Sequence, residues 1–172
     1  MQNKLPKLDF PIKLSLGCGE RDEELFMVKE EPFNSELPPE GYKKFVGLDE
    51  RDLGQEITWK ILDGIPLPNE SVEFIWASHI MEHFDSIEIL EVMEECWRVL
   101  IKDGILEIRC PDESSSVSRM PFHKQVIHWD YFNIFFNESN LEVYGYHKWE
   151  LVERKKYLTK RGLDLKFILR KK

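Results

Sequence analysis

Five short apolar runs divide residues 12–110, and each stops abruptly at a glycine, an acid, a serine or a proline. They are 12–16 before Gly17, 42–48 before Asp49, 57–62 before Asp63, 72–77 before Ser78, and 104–110 before Pro111. Polar or amphipathic stretches separate them. Parallel strands cannot be joined by a tight turn and need a crossover, usually a helix, so this alternation predicts an α/β fold. The expected architecture is a Rossmann-like, mostly parallel sheet with helices on both faces. Residues 141–149 and 163–169 alternate in hydropathy and are expected to add a C-terminal antiparallel hairpin.

The clearest helix follows the fourth run. Asp85 and Glu88 have the spacing of a capping box, with Asp as the capping residue. Ile89, Leu90, Met93, Cys96, Trp97 and Leu100 then share one face, and Asp103-Gly104 supplies a stop. Residues 31–41 are rich in proline and polar side chains and are expected to be a surface insertion before the second strand. Residues 113–121 are serine-rich without periodicity and are expected to form a mobile loop, whereas the aromatic-rich 125–137 is expected to be helical.

With 172 residues the chain suits one domain, 1–172. No apolar run approaches the roughly 18 residues of a membrane span, and residues 1–12 lack the features of a secretory signal. A cytoplasmic location without membrane attachment is expected. Cys18, Cys96 and Cys110 form no CxxC pair, so they are expected to be small buried residues rather than metal or disulfide ligands. The net charge of -8 argues against non-specific attraction to nucleic acid. The charge is uneven, since residues 148–172 carry +7 and the remainder -15. An edge hairpin whose lysines discourage sheet-to-sheet pairing explains this basic run better than a nucleic-acid patch.

The ends of the runs carry the chemistry. Leu16-Gly17-Cys18-Gly19 joins a buried strand to two glycines, which let backbone approach a ligand closely. In open α/β sheets ligands lie beyond the carboxyl ends of the strands, where the strand order reverses. Asp49, followed by Glu50, ends the second run, where a carboxylate can accept hydrogen bonds from ribose hydroxyls. Asp63-Gly64-Ile65 follows the third run, offering an acid to an exocyclic amine and apolar surface to a flat ring. Ser78-His79-Ile80-Met81-Glu82-His83 follows the fourth. Four consecutive strands thus direct polar or glycine-rich ends toward one rim.

In order, LSLGCGE, FVGLDE, ILDGIPLPNESVEFIWASHIMEHF and ECWRVLIKDGILEIRCPD resemble successive motifs of class I S-adenosylmethionine (SAM)-dependent methyltransferases. The resemblance covers residues 12–112 and is looser in the tail, where Asn140-Leu141 stands in place of the usual Gly-Phe. It implies a seven-stranded sheet and SAM as cofactor. By position, Leu16, Gly17, Cys18 and Gly19 would pass beneath the methionine part. Asp49 and Glu50 would hold the ribose, Asp63, Gly64 and Ile65 the adenine, and Ser78 and His79 would lie near the sulfonium. Arg21 replaces the third glycine of the common GxGxG.

Methyl transfer from a sulfonium chiefly requires alignment of nucleophile, methyl and sulfur. A base is needed only when the acceptor must lose a proton, and His79 and His83 are the candidate catalytic residues. His123 and His128 lie five apart, a poor spacing for two ligands on one helix face, and no metal is expected. The aromatics of 129–136 are read mainly as core. The expected activity is methyl transfer to a small-molecule or sugar acceptor, through a small acceptor site or one completed by another subunit, which leaves homo-oligomerisation open. The alternative is a SAM-binding regulatory or non-catalytic module. A nicotinamide oxidoreductase is disfavoured by the missing third glycine of GxGxxG. A nucleic-acid methyltransferase is disfavoured by the acidic body and by the lack of an Asn/Asp-Pro-Pro-aromatic motif.

Overall fold

The computed structural model describes residues 5–19, 39, 41, 44–136 and 145–172. The apolar runs become strands β1 (Ile12–Leu16), β2 (Val46–Asp49), β3 (Ile57–Thr58) and β4 (Val72–Ser78). Helix α1 (Ser86–Val99) follows, then β5 (Leu100–Pro111), β6 (Trp149–Thr159) and β7 (Gly162–Lys171). They form one seven-stranded sheet in the order β3-β2-β1-β4-β5-β7-β6. Pairing is parallel from β3 through β5, and β7 runs antiparallel to both β5 and β6. The order reverses between β1 and β4, which opens a crevice at their carboxyl ends.

Burial accounts for the strands. Leu14, Leu16, Leu48, Val72, Ile75, Ala77, Leu106 and Ile108 are all buried, as expected of parallel strands covered on both faces. Helix α1 lays Ile89, Val92, Met93, Cys96 and Val99 onto this sheet. Its start is the expected capping box: the Asp85 carboxylate accepts from the Ile87 and Glu88 N–H groups, and the Asp85 N–H donates to Glu88. The three cysteines are buried.

Several boundaries differ from expectation. Helix α1 ends at Val99, and β5 begins at once, so Asp103-Gly104 lies within the strand segment, with Asp103 at φ +63°. The third run is strand only at Ile57–Thr58 and then coils into a 3-10 turn, Ile61–Asp63. The serine-rich segment is ordered. It holds the 3-10 turn Ser116–Arg119, the hydroxyl of buried Ser118 donates to the Ser115 carbonyl at 2.7 Å, and Ser115 packs against Gly162. Instead of a full helix, 125–137 contains a short 3-10 segment, Tyr131–Phe135, whose Phe132 and Phe135 are core residues.

The hairpin is real, but its first strand is Trp149–Thr159 rather than 141–149; residues 141–144 lie outside the described residues. Residues 31–38 of the expected insertion lie outside them too. β6 is the sheet edge, and the basic residues are largely paired in place. Lys156 meets Asp112 at 2.7 Å, Lys166 meets Glu153 at 2.8 Å, and Arg170 meets Glu150 at 3.1 Å. Arg154 lies 4.4 Å from the Trp129 ring centroid and donates to Trp129, Asp130 and Asn133, fastening the aromatic segment to the edge strand. Among the described residues, no helix is long and apolar enough to cross a membrane.

Candidate functional site

β1 and β2 are locked together at their tips. The Cys18 N–H donates to the Leu48 carbonyl at 3.1 Å, and the Gly19 N–H donates to Asp49 Oδ2 at 2.9 Å. Gly17 and Gly19 have φ of +62° and +57°, where a side chain is strained. A Cβ on Gly17 would also lie 2.6 Å from the Ile80 side chain, so the turn passes directly under the segment that leaves β4.

Asp49 is only 6% exposed. Burial pushes its carboxyl up, but the backbone N–H groups of Arg51 and Gly19 and the Arg51 guanidinium outweigh this and hold it below the usual range. Its Oδ1 accepts from Arg51 N at 3.0 Å and Arg51 Nε at 3.2 Å, while Oδ2 accepts from Gly19. A carboxylate has about four lone-pair sites, so acceptor capacity remains for a hydroxyl.

After β3 the chain is stapled to α1. Arg98 donates to the carbonyls of Ile65 and Leu67 at 2.7 and 2.9 Å, and Glu95 accepts from the Ile65 N–H at 2.7 Å. The Arg98 guanidinium holds the Glu95 carboxyl low. This staple turns Ile65 into the core, 2% exposed, and sets Gly64 against Glu95. Lys60, Ile61 and Leu62 line the cavity, and Asp63 is exposed just beyond them.

β4 ends at Ser78, and His79 takes up φ +53° with its N–H donating to the Arg109 carbonyl at 2.8 Å. Its ring lies between two acids, with Nδ1 3.3 Å from Glu82 Oε1 and Nε2 3.2 Å from Asp164 Oδ2. Burial alone would lower the imidazole pKa, but Asp164 and then Glu82 raise it to about 9. Both ring nitrogens therefore face carboxyl oxygens, an arrangement that favours the imidazolium form over a free base. Two carboxyl groups thus flank one imidazole at the tip of β4.

These tips wall one cavity of about 530 Å³, with Gly17 from β1, Asp49 and Glu50 from β2, and His79 and His83 after β4. Its size is that of a cofactor or small-ligand site. Leu16, Cys18, Gly19 and Ser78 stand behind this wall rather than in it. Leu16 and Cys18 are buried, and Gly19 anchors Asp49. Asp164 and Arg51 were not foreseen from the sequence. Asp164 shares its β7 face with Lys166, Ile168 and Arg170, so the alternation gave no sign that it would be buried.

The fold is the one seen in solved SAM-dependent methyltransferases, and part of the chain carries the signature of a methyltransferase domain. Residues 44–108 match the family described as a methyltransferase domain. No curated protein sequence matches the chain. Among solved structures, a SAM-dependent methyltransferase from Archaeoglobus fulgidus is similar, with 18% identity, TM-score 0.56 and coverage of 92% of this chain and 85% of that one. N-methyltransferase NodS from Bradyrhizobium japonicum, in complex with S-adenosyl-L-homocysteine (SAH), shows 14% identity and TM-score 0.55, covering 92% and 76%. The [4+2]-cyclase SpnF has 12% identity and TM-score 0.61, covering 95% and 76%.

The site fits SAM on its own geometry. The glycine turn leaves no side chain between backbone and cavity, and Asp49 faces the same space. Two carboxyl groups, those of Glu82 and Asp164, flank His79 at the cavity wall.

Proposed function

We propose that this chain transfers the methyl group of SAM to a small-molecule or sugar acceptor. The single observation that carries the reading is that Gly17, Asp49 and His79, from three different strands, wall one cavity. Bound SAM supplies a methyl carbon already activated by its positive sulfur. The protein then has to bind, orient and exclude water. Gly17, with Cys18 and Gly19 behind it, would carry the methionine part; Asp49 and Glu50 would hold the ribose. Ile61 and Leu62 would flank the adenine, with Asp63 at the rim. The acidic pair around His79 would favour the cationic sulfur, and His83 would line the acceptor side.

The second reading is a SAM-binding module that does not transfer methyl groups. It is favoured by the engagement of both His79 nitrogens, and the name of SpnF shows that this fold is not confined to methyl transfer. Calorimetric titration with SAM, SAH and NAD tests the shared part: binding of SAM and SAH without NAD is expected, and NAD binding alone would overturn both readings. Transfer of labelled methyl to a panel of hydroxylated and amine acceptors separates the two.

A further inference from the structure

The turn after β4 meets the segment after β5 in a second cluster, which shares Glu82 and His83 with the site described above. One ligand atom each from Glu82, His83 and His123 lies within 4.8 Å of the other two. Glu82 is 2% exposed; its Oε1 faces His79, but its Oε2 is buried without a hydrogen-bond partner. His123 Nδ1 is likewise buried and unpartnered. Buried polar atoms are almost always satisfied, so two that converge with a third ligand-type group call for a shared occupant.

The rings are held as metal-binding histidines are held. His83 Nδ1 faces the Phe122 carbonyl at 3.4 Å, leaving Nε2 available, and the Ser118 backbone engages the His123 ring. Such outer contacts fix tautomer and orientation in metal sites. The Gln125 N–H donates to the Glu82 carbonyl at 3.1 Å, and Phe122 stacks on His83 at 5.7 Å, so the two segments are already in register.

We propose that Glu82, His83 and His123 bind one divalent first-row transition-metal ion at the edge of the cavity, to which His83 also contributes. This departs from the expectation of no metal, because the partners of His123 come from the turn after β4 rather than from His128. Two imidazoles and one carboxylate suit zinc, iron(II), cobalt(II) or manganese(II), whereas magnesium and calcium prefer all-oxygen shells. Three protein ligands leave coordination positions for water or for an oxygen or nitrogen of the acceptor.

The test uses the full chain after EDTA dialysis, titrated with ZnCl2 against a chromophoric chelator, with Co2+ absorption as a second readout. One Zn2+ per chain is expected. His83→Ala and His123→Ala should each weaken binding by about 100-fold or more, beyond what loss of an outer-shell contact produces. His147→Ala, which removes a surface histidine paired with Glu94, should leave it unchanged. Glu82→Gln should also weaken binding. Because Glu82 is buried, circular dichroism accompanies that variant, and the two histidine variants carry the test if it misfolds. Absence of saturable one-to-one binding, or retention of wild-type affinity by either histidine variant, overturns the proposal. SAH titration of the same samples keeps failure of this site distinct from failure of the cofactor reading.

Discussion

His79 Nε2 lies 3.2 Å from Asp164 Oδ2, so the tip of β4 is gripped by an acid from the last strand of the sheet. Asp164 is 3% exposed and sits opposite Pro111 and Tyr157 in the ladder. The hairpin therefore does more than close the sheet: it fixes the charge and orientation of a cavity residue.

Asp164→Asn is expected to destabilise the fold by about 1–3 kcal/mol, the usual range for a buried partner of a charged group. Urea melts should show a lower midpoint with an unchanged slope. A double-mutant cycle with His79→Gln should give a coupling of about 0.5–3 kcal/mol; simple additivity would show that the contact carries no energy.

Asp49→Asn should reduce SAH affinity by about ten- to a hundredfold, corresponding to one charge-assisted hydrogen bond. The substitution also changes the acid limb of stability. The folded carboxyl lies below its usual 3.8, so its contribution is complete above that value and disappears as pH falls through the folded value. Acid melts of the wild type should lose stability there with a steeper slope than those of Asp49→Asn.

Gly17→Ala places a methyl 2.6 Å from Ile80 at a residue with φ +62°. A loss of about 1–3 kcal/mol is expected, with weakened SAH binding. Gly17→Ala combined with Ile80→Ala should relieve the clash but not the dihedral strain. Its SAH affinity, measured by calorimetry, should lie between those of the single Gly17→Ala variant and the wild type.

Asp85→Ala removes the side-chain half of the capping box on α1 and leaves the residue-85 N–H to donate to Glu88. The expected cost is about 0.5–2 kcal/mol, read from thermal or urea unfolding, with SAH affinity retained.

Cys96 and Cys110 are fully buried, and burial pushes both thiols well above their ordinary range. Neither should react with a thiol reagent at neutral pH until the chain unfolds, so the kinetics of modification would report global opening.

The glycine turn, Asp49, the capping box and the alternation of strands with amphipathic stretches were legible in the chain because each is a local rule. A tight turn needs Gly17 and Gly19, a helix start needs Asp85 with Glu88, and a doubly covered strand needs apolar residues on both faces. The adenine side was less legible. The sequence places Ile65 beside Asp63, but the Glu95–Arg98 staple decides which of the neighbouring residues faces the cavity. The first hairpin strand was also misplaced, since its lysines and arginines mask the alternation and find their acids only after folding.

The sequence by itself determined the sheet's raw material and the strand tips that gather at one cavity. Tertiary structure decided the rest: His79 clamped between two acids from different elements, and Glu82, His83 and His123 brought together. The reason is physical. Backbone dihedrals and hydropathy periods act over a few residues, whereas a side chain's charge state and partners depend on whatever distant strand is packed against it.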